Sequence, residues 1–100
     1  MSYLRCMVKI KHLITSPKGA FIYEIDGQQL AQMVYLMPSP TRMIIEHTEV
    51  DPSLKGLGIG KKLLAALVEY VRANNIKVIP VCPFANATFK RMKEWQDVLQ

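Results

Sequence analysis

Apolar and polar positions alternate with a period of two through the first half of the chain, then switch to a helical period. Residues 7–12 interleave apolar and basic side chains (Met7, Val8, Lys9, Ile10, Lys11), which suits a short edge strand. Ser16-Pro17-Lys18-Gly19 reads as a turn. Residues 20–25 and 30–37 are strand-like runs joined through Asp26-Gly27, a hairpin signal because both residues tolerate positive φ. Pro38-Ser39-Pro40-Thr41 breaks the chain again, and residues 43–50, rich in branched side chains, form the next strand. These elements predict an antiparallel meander.

The period changes after Asp51-Pro52-Ser53-Leu54. Leu63, Leu64, Leu67, Val68 and Val71 fall on one face of a helix predicted over 61–74, with Lys62, Glu69 and Arg72 on the other. Asn74-Asn75 can end it, since Asn accepts the left-handed conformation. Residues 76–82 are short and apolar, as expected of a buried strand following a crossover helix, and Pro83 ends that strand. Residues 84–98 hold a second, shorter helix with Phe89, Met92 and Trp95 turned inward. A right-handed crossover places strand 76–82 parallel to strand 43–50. The predicted class is α/β (α+β): one domain over 1–100 with a mixed, mostly antiparallel sheet of about five strands, a parallel βαβ unit and about two helices.

Composition narrows the function. One hundred residues, half of them hydrophobic, can bury one core without metal or disulfide staples. Cys6 and Cys82 are far apart and belong to no Cys/His cluster, and with only His12 and His47 added no zinc set assembles. Two reduced thiols fit a cytoplasmic protein. No apolar run has the length of a bilayer span, and charge interrupts the start too early for a secretory segment. The formal net charge of +5 is spread over the sequence, densest at Lys9/Lys11, Lys61/Lys62 and Lys90/Arg91/Lys93. It suits a small anionic ligand as well as nucleic acid.

Lys55-Gly56-Leu57-Gly58-Ile59-Gly60-Lys61 carries the most chemistry. Glycines at alternate positions allow a tight turn and close approach of a ligand to the backbone. The turn opens directly into a helix, whose first amides are unpaired and carry partial positive charge. An anion there gains from both, and no Ser, Thr, Asp or Asn stands ready to cap the helix instead. A dinucleotide fingerprint would require glycine at 61, and a P-loop would require Ser or Thr at 62; both positions are Lys.

From Val50 through Leu64 the chain resembles the GNAT superfamily of acyl-CoA-dependent N-acetyltransferases, whose signature is Arg/Gln-x-x-Gly-x-Gly/Ala between a strand and a helix. The departure is Lys55 where Arg or Gln is usual. His47-Thr48-Glu49-Val50 before the loop and Cys82-Pro83-Phe84-Ala85 after the next strand are similar to segments of a short GNAT-like subfamily of this length. The resemblance implies acetyl-CoA as cosubstrate, with its pyrophosphate on the amides of Leu57, Gly58, Ile59, Gly60 and Lys61. Lys55, Gly56, Val50 and Asn86 are further candidate coenzyme contacts.

Acetyl transfer needs a deprotonated amine, a polarised carbonyl and a protonated leaving thiolate. Strict alternation puts Ile45, His47 and Glu49 on one face of their strand. His47 has the proton affinity of a base. Cys82, ending the neighbouring strand, would meet it as nucleophile or acid, with Glu49 the third candidate. Each has a plainer reading: Cys82 as small core filler, His47 as a structural histidine, Glu49 as a solvated strand residue. The Tyr that often serves as acid in GNAT proteins has no counterpart between Phe84 and Trp95. Three functions therefore stand: an N-acetyltransferase acting on an unidentified amine, a non-catalytic CoA-binding module, and a nucleic-acid binder using Lys90, Arg91, Lys93 and Trp95.

Overall fold

A computed structural model describes residues 7–100, so Cys6 and the charged start lie outside the described residues. Five strands form one sheet in sequence order: β1 (Val8–Thr15), β2 (Lys18–Ile25), β3 (Gln28–Ser39), β4 (Arg42–Val50) and β5 (Lys77–Pro80). The first four pair antiparallel and β5 runs parallel to β4. Helix α1 (Ile59–Ala73) makes the β4–β5 crossover, and α2 (Pro83–Arg91) follows β5. The predicted mixed sheet, parallel unit and two helices are thus present.

The Asp26-Gly27 hairpin forms as its residues require, with φ of 51° and 83°. Several boundaries differ for identifiable reasons. β3 runs through Pro38 to Ser39, and the ladder is irregular between Leu36 and Ser39, where proline has no N–H to offer. Helix α1 begins two residues earlier than its apolar stripe suggests, because Gly58 adopts a left-handed N-cap (φ 72°) and turns the chain at once. Pro83 starts α2 rather than merely ending β5, the first helical position being one where its missing N–H costs nothing. Met92 leaves helical geometry, so the rest of the expected helix is a separate 3₁₀ turn, Lys93–Val98.

Leu63, Leu64, Leu67, Val68 and Val71 of α1 are all fully buried. They join Met33, Tyr35, Met43, Ile45, Val78 and Phe89 in one cluster built from β2–β5 and both helices. The opposite sheet face carries the Lys11–Glu24 and Lys18–Glu46 ion pairs and a Gln32–Glu49 hydrogen bond. Five strands are too many for α1 to cover: it packs across β2, β3 and β4 and meets β1 through Tyr70 on His12.

Where β1 leaves the core, His12 stacks on Phe21 (centroids 4.0 Å) and its Nε2 lies 2.5 Å from the Tyr35 hydroxyl. Burial lowers the His12 pKa below 6.5, while burial and the neighbouring Tyr70 push Tyr35 up to about 12. The unfolded chain therefore binds a proton at His12 more readily than the folded one, and loses one at Tyr35 more readily. His12's contribution to stability is present above 6.5 and lost as pH falls toward its lower folded value; Tyr35's is present below 10 and lost as pH rises toward 12. We expect denaturant midpoints to decline on both sides of that window, and Tyr35→Phe to remove the alkaline decline; an unchanged alkaline arm in Tyr35→Phe would refute the assignment.

Candidate functional site

The glycine turn and the end of β4 enclose the site. Asp51 caps a short 3₁₀ turn, Pro52–Leu54, by accepting from the Ser53 N–H, and Leu54 anchors that turn in the core. Gly56 (φ 82°) and Gly58 (φ 72°) both hold left-handed backbone that a side chain would strain, and open space lies where a Cβ would project from either. Gly60 is needed for another reason: a Cβ there would come within 2.6 Å of the Phe84 ring, which closes α2 onto the start of α1.

The Leu57 N–H bonds to the Leu54 carbonyl and the Lys62 N–H to Gly58. The N–H groups of Gly58, Ile59, Gly60 and Lys61 have no backbone acceptor among the described residues, and no side chain caps α1. Four adjacent donors at a helix N-terminus make an anion cradle.

A cleft of about 490 Å³ opens in front of this turn. Val50, Leu54, Ile59 and Phe84 supply its apolar lining, Thr48 and Thr88 hydroxyl-bearing positions, and Lys55, Lys61 and Arg91 its charges. No acidic residue lines it, and none of those three cations has a salt-bridge partner among the described residues. Arg91 was legible only as a member of a basic group; its place opposite the turn depends on α2 folding back beside α1.

The cleft is lined on the β4 side by Thr48 and Val50, which lie beyond the point where β4 and β5 separate; Cys82 does not line it and adjoins it through Thr48. The last β4–β5 bridge is Ile45–Pro80, followed by a Cys82 N–H bond to the Ile45 carbonyl at 2.9 Å, while β4 continues to Val50. Backbone on that side of residues 46–50 is thus left without a strand partner. Cys82 is buried at the N-cap of α2, at the positive end of the helix dipole, and its side chain makes no cap hydrogen bond.

The sulfur does not face His47. Its polar neighbour is the Thr48 hydroxyl, 3.3 Å away. The cause is a bulge in β4: Tyr35 pairs with Ile45 but Val34 with His47, so Glu46 is an extra residue. One extra residue exchanges the faces of everything beyond it. Thr48 and Val50 therefore follow Met43 and Ile45 inward, and His47 and Glu49 are exposed on the other face, where Glu49 accepts from Gln32 at 2.8 Å. The expected Cys82–His47 contact is not formed.

Asn86 is also placed differently from expectation. Its amide donates to the Pro80 carbonyl at 3.3 Å, holding α2 to the end of β5, and it does not line the cleft. Trp95 packs edge-on against Phe89 (6.4 Å, 72°). Trp95 is half-buried and Arg91 lines the cleft, while Lys90 and Lys93 are exposed. Among the described residues no three His, Cys, Asp or Glu side chains gather where they could hold a metal ion, and no helix is long and apolar enough to cross a membrane.

A family model described as GCN5-related N-acetyl-transferase matches residues 20–98. The solution structure of a GCN5-like protein from Staphylococcus aureus superposes with a TM-score of 0.69 at 35% identity, covering 92% of this chain and 87% of that one. An IAA acetyltransferase from Bacillus cereus ATCC 14579 superposes with a TM-score of 0.65, covering 85% of this chain and 75% of the other; at 20% identity it speaks for the fold alone. Among curated proteins, none matches.

Proposed function

The chain belongs to the GCN5-related N-acetyltransferase family, and we propose that it binds acetyl-CoA in the cleft before α1 and transfers the acetyl group to an amine. The observation that carries this reading is the coincidence of four uncapped amides with an acid-free, cation-bearing cleft. The amides of residues 58–61 hold the pyrophosphate. Lys55, Lys61 and Arg91 neutralise phosphate charge around it. Val50, Leu54 and Ile59 line the path of the pantetheine arm, which hydrogen-bonds to the Val50 backbone on the side β5 leaves unpartnered, the Glu49 backbone being spent on β3. The arm leads the thioester toward the separation of β4 and β5.

There Cys82 has two balanced roles. As nucleophile, its sulfur attacks the thioester carbonyl, a C–S bond to Cys82 forms, the bond to the coenzyme sulfur breaks, and the released thiolate takes up the thiol proton; an amine then displaces the acyl group and regenerates the thiol. In direct transfer the amine attacks instead, and Cys82 protonates the departing thiolate. Thr48 orients the sulfur in either case. His47 lies two residues beyond the last β4–β5 bridge and on the opposite face. An amine entering from that side would meet His47 as proton acceptor, with Glu49 beside it. Because those two residues face away from the cleft, a CoA-binding module without turnover is the second reading.

Calorimetry tests the binding half. Acetyl-CoA should bind in the micromolar range. Arg91→Ala should weaken it roughly tenfold, the usual worth of a charge-assisted contact. Release of free CoA thiol on adding a panel of primary amines tests the transfer half. Binding without release from any amine would favour the module; no binding would overturn both readings.

A further inference from the structure

The two edges of the sheet are unequal. β5 is four residues long, and Leu99 bridges to Val78 on its outer side. β1 is eight residues long, pairs with β2 without a bulge, and no strand flanks its other side among the described residues. Val8, Ile10, Leu13 and Ile14 are each 41–62% exposed. Natural sheets rarely leave so long and apolar an edge uncovered.

The hairpin register shows which groups are free. The Asp26 N–H donates to the Met7 carbonyl opposite it. In an antiparallel ladder hydrogen-bonded pairs alternate, so the odd-numbered residues of β1 spend their backbone groups on β2. Val8, Ile10, His12 and Ile14 aim theirs outward. Their side chains point to the helix-bearing face, where α1 reaches β1 through Tyr70 on His12.

We propose that β1 is a homodimer interface, pairing antiparallel with β1 of a second copy around a two-fold axis at His12. An antiparallel edge is self-complementary, as a two-fold contact requires, and charge excludes two of the registers. Centring the axis on Lys11 sets Lys11 against Lys11, and centring it on Ile10 sets Lys9 against Lys11 twice; like charges directly opposite are unfavourable. With the axis at His12, Ile10 faces Ile14, Lys11 faces Leu13, Lys9 faces Thr15, and no lysine meets a lysine. Burial lowers the His12 pKa and so favours its neutral form, which suits a self-pairing on the axis. The three central pairs supply about six backbone hydrogen bonds, and the uncovered apolar strips of the two copies meet. The contact lies at the edge of the sheet away from β4 and β5 and is independent of the coenzyme reading.

An interface of this size belongs at the small end of specific contacts, so the dimer is weak and depends on concentration. Sedimentation equilibrium of the full chain from about 10 μM to about 1 mM, in physiological salt, should show a mass rising from 11.4 kDa toward twice that value. Ile10→Pro removes an N–H that the hairpin does not use, and Ile14→Lys places a charge against Ile10 of the second copy. Each should weaken association at least about tenfold with an unchanged circular dichroism spectrum. Leu13→Glu, opposite Lys11, should strengthen it. A monomer throughout the range, or a dimer indifferent to both weakening variants, overturns the proposal.

Discussion

Gly58→Val should lower acetyl-CoA affinity by at least about a hundredfold, the largest single effect we expect on binding. Two causes act together. At φ 72° a β-branched residue is strained, so the turn must shift to relieve it, and its amides then no longer converge. The new side chain also projects into space that no protein atom occupies within 4 Å, in front of the cradle where the pyrophosphate would lie. Strain alone predicts a loss of fold stability of ~1–3 kcal/mol; occlusion predicts a loss of binding in protein that remains folded. Gly27→Val separates them, since Gly27 has the same sign of φ (83°), the same open space, and a hairpin position that does not line the cleft. It should cost comparable stability and leave coenzyme affinity within about twofold. Equal losses of affinity in the two variants would mean that Gly58 acts only through folding.

Cys82→Ala should reduce the rate of acetyl transfer about a hundredfold or more, as loss of a nucleophile or positioned acid does, while leaving the acetyl-CoA dissociation constant within about threefold. Cys82 is buried at the β4–β5 separation, hydrogen-bonded to Thr48, and does not belong to the phosphate cradle. Alanine removes only the sulfur from the core, so thermal stability should fall by ~1 kcal/mol. The two chemical routes differ in a direct observable. In the acyl-enzyme route, wild type mixed with acetyl-CoA and no amine becomes one acetyl group heavier by intact mass, and Cys82→Ala does not. In direct transfer neither protein gains mass, although both bind. A Cys82→Ala variant with unimpaired turnover would remove the cysteine from the mechanism.

The uncapped glycine turn was legible in the sequence because it consists of backbone. Glycines at 56, 58 and 60 ahead of an uncapped helix predict free amides; those of residues 58–61 are unpaired, whereas the Leu57 amide, expected among them, is spent on the Leu54 carbonyl. The Asp26-Gly27 hairpin and the α1 stripe were legible for the same local reason. What failed was extrapolation along β4. A period of two carried from Met43 to Val50 pairs His47 with the inward residues, but a single bulge at Glu46 reverses the later half. The available hint was two adjacent polar residues, Glu46-His47, interrupting an alternating strand, with Thr48 and Val50 then supplying the less polar side. Arg91 was hidden differently: its role depends on α2 lying beside α1, a contact fixed by Phe84 fitting over Gly60, which no local spacing announces. Asn86 showed the converse, a residue that the family resemblance suggested as a coenzyme contact and whose hydrogen bond goes to Pro80.

The most direct measurement is a titration of acetyl-CoA into ¹⁵N-labelled protein, following every backbone amide. The account predicts saturable shifts concentrated at Gly56–Lys61, with Thr48 and Val50 moving at the same ligand concentration and β1 unmoved. Absence of shifts, or shifts centred away from the glycine turn, would contradict it.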